Sequence, residues 1–290
     1  MTRVVPGAAS APASSANLGP GFDCLAVALQ LRIEVAIAPA KCFDVDAQGE
    51  GAGIPASARH LAARVLRDVL GHDEAKVSIR SEIPVARGLG SSAALAVATA
   101  AAAGASDPLA VACRIDGHPE NAAASVHGGL VAATMLGDGE PLAVQFPLDG
   151  DAAFVVLVPD RSLSTKDARA VLPRQVTHAE AAGNVSRTGA LIGALRDLSL
   201  LRPGLMDDRL HQPYRLPLMP EADALMTALV AAGALGAAWS GAGPSLIAVC
   251  RRDDADAVHR AGSAALAAAG VEGDARILGP DMRGLQVAEQ

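Results

Sequence analysis

Aromatic side chains are scarce: one Trp, one Tyr and four Phe amount to 2% of 290 residues. Ring stacking can therefore hold little of any planar ligand, and aliphatic packing must substitute. Cysteine is equally sparse. Cys24, Cys42, Cys113 and Cys250 lie far apart with no CxxC spacing, which argues against a zinc site or a disulfide framework and fits a reducing cytoplasm. No cluster of lysine or arginine offsets a formal net charge of -7 and a pI near 5.5, so a nucleic-acid partner is not expected. Nor is a membrane partner, because stretches such as Ala93 to Ala103 are too short and too weakly apolar to span a bilayer. The opening residues carry only Arg3 before Val4 and Val5 and then turn to proline, glycine and serine, so no signal-peptide apolar segment forms and export is not expected. No Gly-Lys pair occurs anywhere, which removes a P-loop.

What the chain does have is a glycine loop running into a strong helix former. Pro84, Val85, Ala86, Arg87, Gly88, Leu89, Gly90, Ser91, Ser92, Ala93 and Ala94 lead into an alanine-rich helix expected from about Ser91 to Ala103. Gly88 and Gly90 let the backbone approach a ligand closely, and the first unpaired N–H groups of the helix favour an anion. A phosphate fits, with Ser91 and Ser92 as hydroxyl donors and one of them as a ligand to a phosphate-bound magnesium ion. Two rivals stand beside this reading. Gly88-x-Gly90-x-x-Ala93 also satisfies a dinucleotide fingerprint, although Pro84 to Arg87 intervene between strand and glycine. The loop can also be a plain cap on a buried helix.

The length suits two domains or one large one. Leu31 to Ala38 and Lys76 to Ile83 alternate as strands, Ala56 to Leu70 has the spacing of an amphipathic helix, and Pro108 to Arg114 suits another. A continuous apolar run, Ala152 to Pro159, follows the polar turn Asp149 to Asp151, and a second domain is expected to start there, giving units 1–150 and 151–290. Glu180 to Leu198 and Glu221 to Ala232 read as helices, Trp239 to Ser245 as a glycine turn, and Leu246 to Cys250 as the strand after it. The irregular alternation of strands and helices makes the fold class α+β.

Three segments together resemble the GHMP kinase superfamily, in its homoserine kinase branch: Ala11 to Asp23, the Pro84 to Ala94 loop, and Trp239 to Ser245. Residues Gly117 to Asn121 with Gly128 and Gly129 after them, Leu163 to Arg169, and His211 to Arg215 extend the match. The resemblance implies a two-domain GHMP kinase fold, with an N-terminal nucleotide-binding α/β domain, a ferredoxin-like C-terminal domain and the active site between them. It also implies ATP- and magnesium-dependent phosphorylation of the side-chain hydroxyl of L-homoserine, a step towards threonine, in a cytoplasmic enzyme; relatives are often dimers, and the sequence itself leaves homodimer or monomer open.

An amino-acid substrate needs an acid for its ammonium and guanidinium groups for its carboxylate. The resemblance assigns Asn17 and Asp23 to one end of such a site and Arg169 and Arg215 to the other, with ATP held by Pro84, Arg87, Gly88, Leu89, Gly90, Ser91, Ser92 and Ala93. Read singly, Asp23 is a turn former and the arginines are solvated charges. His118 and Asn121 are the expected catalytic residues. Asparagine takes no proton at neutral pH, so catalysis is expected to rest on positioning and electrostatics rather than on a strong base. Two positions depart from the family pattern. Ala110 stands where relatives carry a magnesium-ligating glutamate, which leaves Ser92 as the metal ligand and the missing oxygen open between water and a displaced acid such as Asp107, Asp116 or Glu120. His60 stands where many relatives place an asparagine near adenine.

Overall fold

The structure is a computed structural model that describes residues 4–288, so Arg3 lies outside it. In chain order the first part comprises β1 (Gly7–Asn17), β2 (Gly21–Pro39), β3 (Asp44–Gly49), α1 (Leu61–Leu70), β4 (Ala75–Ser81), α2 (Ser91–Ala102), α3 (Pro108–Asp116), α4 (Pro119–His127), β5 (Leu130–Met135) and β6 (Pro141–Phe146). The second comprises β7 (Ala152–Pro159), α5 (Thr165–Ala170), α6 (His178–Arg196), α7 (Gln212–Arg215), α8 (Ala222–Ala231), β8 (Gly236–Trp239), β9 (Leu246–Arg251), α9 (Ala255–Ala268), β10 (Gly273–Leu278) and β11 (Gln286–Val287).

Burial explains where the elements start and stop. β2 begins ten residues before the expected Leu31. Its second half alternates, with Ile33, Val35 and Ile37 buried and Glu34 and Ala36 exposed, whereas Leu25 to Leu29 is buried on both faces and shows no period. β4 ends at Ser81 rather than Ile83, because the Ser81 hydroxyl accepts from the Ile83 N–H at 3.1 Å and turns the chain away before Pro84. α1 starts at Leu61 rather than Ala56, since the His60 imidazole caps it by accepting from the Ala62 N–H.

The first sheet has seven strands, ordered β11-β1-β2-β4-β3, with β5 paired to β2 and β6 to β5. β3 and β4 are parallel, but after α2 the chain passes through α3 and α4 and returns as β5, antiparallel to β2. No βαβ unit surrounds the glycine loop, which removes the dinucleotide reading. α2 is buried almost all round, and its alanines let α1, α3, α4, β1 and β2 close on it.

The second sheet is antiparallel in the order β10-β7-β9-β8, with α8 and α9 packed on it. This is the ferredoxin-like arrangement that the resemblance implies. Leu157, Val155 and Trp239 face those helices, while Phe154, Val156, Ile247 and Val249 join the core of the first sheet. The chain then returns to that sheet: Pro280 bridges Leu29, Asp281 pairs with Arg32, and β11 pairs with β1. A cleft opens where the two sheets meet.

Candidate functional site

The glycine loop forms one wall of a cleft of about 440 Å³. Gly88 and Gly90 both have left-handed backbones, at φ 76° and 66°. A Cβ on Gly88 would stand 2.2 Å from the Ser240 carbonyl oxygen, and one on Gly90 would stand 2.0 Å from Ser14 Oγ. Glycine is required at both positions. The first bond within α2 runs from the Ala94 N–H to the Gly90 carbonyl, so the N–H groups of Ser91, Ser92 and Ala93 precede the helical ladder and are available to an anion. The loop is braced from the second sheet. Ser240 Oγ donates to the Gly88 carbonyl at 2.7 Å, the Ser245 N–H donates to the Arg87 carbonyl, and the Gly241 N–H donates to the Ala16 carbonyl. Arg87 lines the cleft, and its guanidinium donates to the Asp160 and Val85 carbonyls, which holds the loop in place. Pro84, Leu89, Ser91, Ser92 and Ala93 also line the cleft.

Ile33, Ala47, Ile54, Ile79 and Val85 give the far end of this wall an aliphatic surface, as the shortage of aromatics requires. His60 is beside it. Burial lowers the pKa of His60, and because Nδ1 accepts from the Ala62 N–H at 3.2 Å, the neutral ring carries its proton on Nε2.

The opposite end is built by the turn between β1 and β2. Asn17, Leu18 and Asp23 have positive φ, at 73°, 48° and 53°. The Asn17 side chain fixes that strained turn by accepting from the Asp23 N–H at 3.1 Å and donating to the Gly241 carbonyl at 2.8 Å. Asn17 lines the cleft as expected, but its amide organises the loop that presents Asp23. Arg169 on α5 and Arg215 on α7 face the same end. Arg169 grips Asp23 with Nη1 at 3.0 Å and Nη2 at 2.7 Å. Arg215 is 2% exposed; its Nη1 donates to the Gly241 carbonyl at 2.8 Å and to His211 Nδ1 at 3.0 Å. Burial, and then the like charge of Arg169, bring its pKa down to about 10, so it remains a cation at neutral pH.

Three residues here were not foreseen. The Phe22 ring has both guanidinium groups over it, Arg169 at 5.6 Å and Arg215 at 5.5 Å from its centroid, and stacks on His211 at 5.0 Å. His211 is fully buried, donates from Nε2 to the Gly19 carbonyl at 2.8 Å, and leaves Nδ1 as acceptor for Arg215. Asp208 caps α7 by accepting from the His211 and Gln212 N–H groups and takes a further bond from Asn184.

Between the two ends lies the start of α4. Asn121 Oδ1 accepts from Ser14 Oγ at 2.8 Å and its amide donates to Glu120 Oε1 at 2.8 Å. Glu120 is 2% exposed, its Oε2 has no partner, and burial raises its pKa. His118 Nδ1 donates to the Asp116 carbonyl at 2.9 Å, and its buried Nε2 has no protein partner. Hydrogen bonding to Asp116, opposed by burial and helped by the charge of Glu120, raises the pKa of His118. Of the three acids left open as metal ligands, Asp107 caps α3 by accepting from the Ala110 N–H. Asp116 lines the cleft and accepts from Ser92 Oγ at 2.9 Å.

Comparison with known proteins bears on this arrangement directly. The family description "GHMP kinases N terminal domain" matches residues 57–129, and "GHMP kinases C terminal" matches residues 191–268. The chain is 39% identical to a homoserine kinase of Moorella thermoacetica over 95% of its own length and 98% of that protein's. It is 40% identical to a homoserine kinase of Streptomyces avermitilis over 91% and 92%. The chain belongs to the homoserine kinases of the GHMP kinase family. Similarity to the crystal structure of a homoserine kinase from Cytophaga hutchinsonii covers 98% of this chain and 97% of that one, at a TM-score of 0.83 and 27% identity. Within the homoserine kinase pattern, Asp23, Arg169, Arg215, His118 and Asn121 converge on one cleft with the glycine loop, although 146 residues separate Asp23 from Arg169.

Proposed function

We propose that this chain transfers the γ-phosphoryl group of ATP to the side-chain hydroxyl of L-homoserine, giving O-phospho-L-homoserine for threonine formation in the cytoplasm. The observation that carries the proposal is that an anion cradle and a set of amino-acid handles share one cleft. The amides at the start of α2 suit a triphosphate, and the aliphatic wall beside His60 suits a purine. Asp23 suits an ammonium, and Arg169 and Arg215 suit a carboxylate.

The donor set fits a magnesium ion. Ser92 Oγ and the Asp116 carboxylate are 2.9 Å apart beside the cradle, and magnesium takes one or two carboxylates with phosphate oxygens and waters. Asp116 thereby stands in for the acid missing at Ala110. A bound ion would neutralise phosphate charge. The chain's own residues do the rest by placement. Asn121, held by Ser14 and Glu120, offers no strong base. His118, oriented by its Nδ1 bond to the Asp116 carbonyl, lines the cleft with a buried Nε2 that has no protein partner and can meet the hydroxyl or a phosphate oxygen, and a loose phosphoryl transition state gains from such fixed dipoles. The hydroxyl proton leaves late, to a phosphate oxygen.

The test is ADP release by the purified protein with ATP and magnesium, in the presence of homoserine, mevalonate, galactose or shikimate. Release with homoserine alone is expected. Release with another acceptor only, or none while ATP binds, overturns the assignment.

A further inference from the structure

The acid and one of the bases of the amino-acid end face each other. Arg169 donates both terminal nitrogens to Asp23, at 3.0 and 2.7 Å, and each side chain is 39% exposed. Asp23 is the fixed member: its backbone is held at φ 53° and its N–H is bonded to Asn17. Arg169 is the movable one, a long side chain on the six-residue helix α5. Arg215 is buried and bonded to the Gly241 carbonyl, so it keeps its place whatever Arg169 does.

We infer that the Asp23–Arg169 ion pair is a latch matched to a zwitterion, which an amino acid opens by exchange. This rests on the homoserine reading and deepens it. The ligand's ammonium replaces the guanidinium on Asp23, and its carboxylate replaces Asp23 on Arg169. A ligand with both groups leaves no charge stranded. A ligand with only one of them must leave either Arg169 or Asp23 without a counter-charge, or bind beside a closed pair. The ammonium and carboxylate are therefore cooperative, and the pair discriminates against amino alcohols and hydroxy acids that carry the same reactive hydroxyl. Because the pair is exposed, it is weak enough for a substrate to displace.

Removing one member of the latch frees the other, and this gives a result that independent subsites do not. Ligand-detected NMR titrations compare the wild type, Asp23→Asn and Arg169→Gln, each with a non-hydrolysable ATP analogue bound. The probes are L-homoserine, 4-hydroxybutanoate, which lacks the ammonium, and 3-aminopropan-1-ol, which lacks the carboxylate. Asp23→Asn should weaken homoserine binding yet strengthen 4-hydroxybutanoate binding by about 2- to 5-fold, the scale of an exposed ion pair. Arg169→Gln should strengthen 3-aminopropan-1-ol binding by a similar factor. Circular dichroism melts establish that each variant is folded, and if one is not, the other decides. Unchanged or weaker binding of the one-handled ligand in a folded variant overturns the latch. Absence of homoserine binding to the wild type overturns the underlying functional reading instead.

Discussion

Phe22 is one of only six Phe, Tyr and Trp residues in the chain, and both guanidinium groups of the cleft lie within 5.6 Å of its ring centroid. Each cation–π contact is worth about 0.5–1 kcal/mol where solvent reaches it. Phe22→Leu keeps the hydrophobic bulk and removes the ring face. Its KM for homoserine should rise by about 5- to 30-fold, with the KM for ATP unchanged, in initial-rate kinetics with either substrate varied. Equal effects on both substrates would show that Phe22 only supports packing. Asp116 carries a second expectation at this scale. Asp116→Asn keeps the bond to Ser92 but removes a charge, so Mn2+ bound with a non-hydrolysable ATP analogue, followed by electron paramagnetic resonance, should weaken by about tenfold or more. Metal affinity equal to wild type would exclude Asp116 as a ligand. Asp23, Arg169 and Arg215 were picked out only through the resemblance of their segments to the GHMP kinases, because read singly they pass for a turn former and solvated charges. Asn17 was legible as a site residue but not as the organiser of Asp23, since that depends on where Gly241 arrives from the other sheet. Phe22, Asp208 and His211 act through burial and stacking, which no short string of residues displays.

At the scale of elements, the decisive unit is α2 with the loop before it. Gly90 has φ 66°, and any added Cβ meets Ser14 Oγ at 2.0 Å, Asn121 Oδ1 at 3.1 Å and the Ser14 backbone N at 3.2 Å. The left-handed backbone alone costs a residue with a Cβ about 1–2 kcal/mol. Gly90→Ala should therefore displace the start of α2 and Asn121 together. Nucleotide affinity should fall by more than about tenfold, measured by calorimetry, with a lower Tm. Wild-type affinity in this variant would remove the helix start from the phosphate site. Elements announced themselves in the sequence where solvent touches one face. The second half of β2, β4 and α1 show a period; β7, buried on both faces, is the exception and shows a continuous apolar run instead. β1 shows neither, because Gly7 to Asn17 is mostly small residues with Pro12 inside, and its strand state is imposed by pairing with β2, with a register shift beside that proline. α9 escaped for a similar reason: alanines and Gly262 dominate it, and a Cβ at Gly262 would lie 2.7 Å from Leu157, so the helix presses on the sheet through small residues rather than a marked apolar stripe.

For the molecule as a whole, the cleft depends on a joint between two sheets, and buried polar groups fill that joint. His211 joins Gly19 of the β1–β2 turn to Arg215 of α7, and it does so as a neutral ring. Burial, with the charge of Arg215 assisting and that of Asp208 opposing, brings its pKa down to about 4. The free value is about 6.5. Between these values the unfolded chain takes up a proton that the folded chain does not, so stability falls as pH drops from about 6.5 towards 4. His60, also lowered by burial, adds to that slope, whereas His118, with a raised pKa, opposes it. For Asp208, burial works against the charged form, but the charge of His211 and bonds from Asn184, Gln212 and Leu210 keep its pKa below the ordinary value, so its own contribution is lost at lower pH still. The share belonging to His211 is isolated by difference. His211→Asn places an amide oxygen near the position of Nδ1, where it can accept from Arg215 without taking up a proton. Thermal melts by circular dichroism from pH 7.5 to 5 should show the wild-type Tm falling more steeply than that of the variant, with the curves converging towards the acid end. Parallel curves would mean that the joint does not depend on a neutral His211, and the positioning of Arg215 would then have to rest on the Gly241 and Ala168 carbonyls.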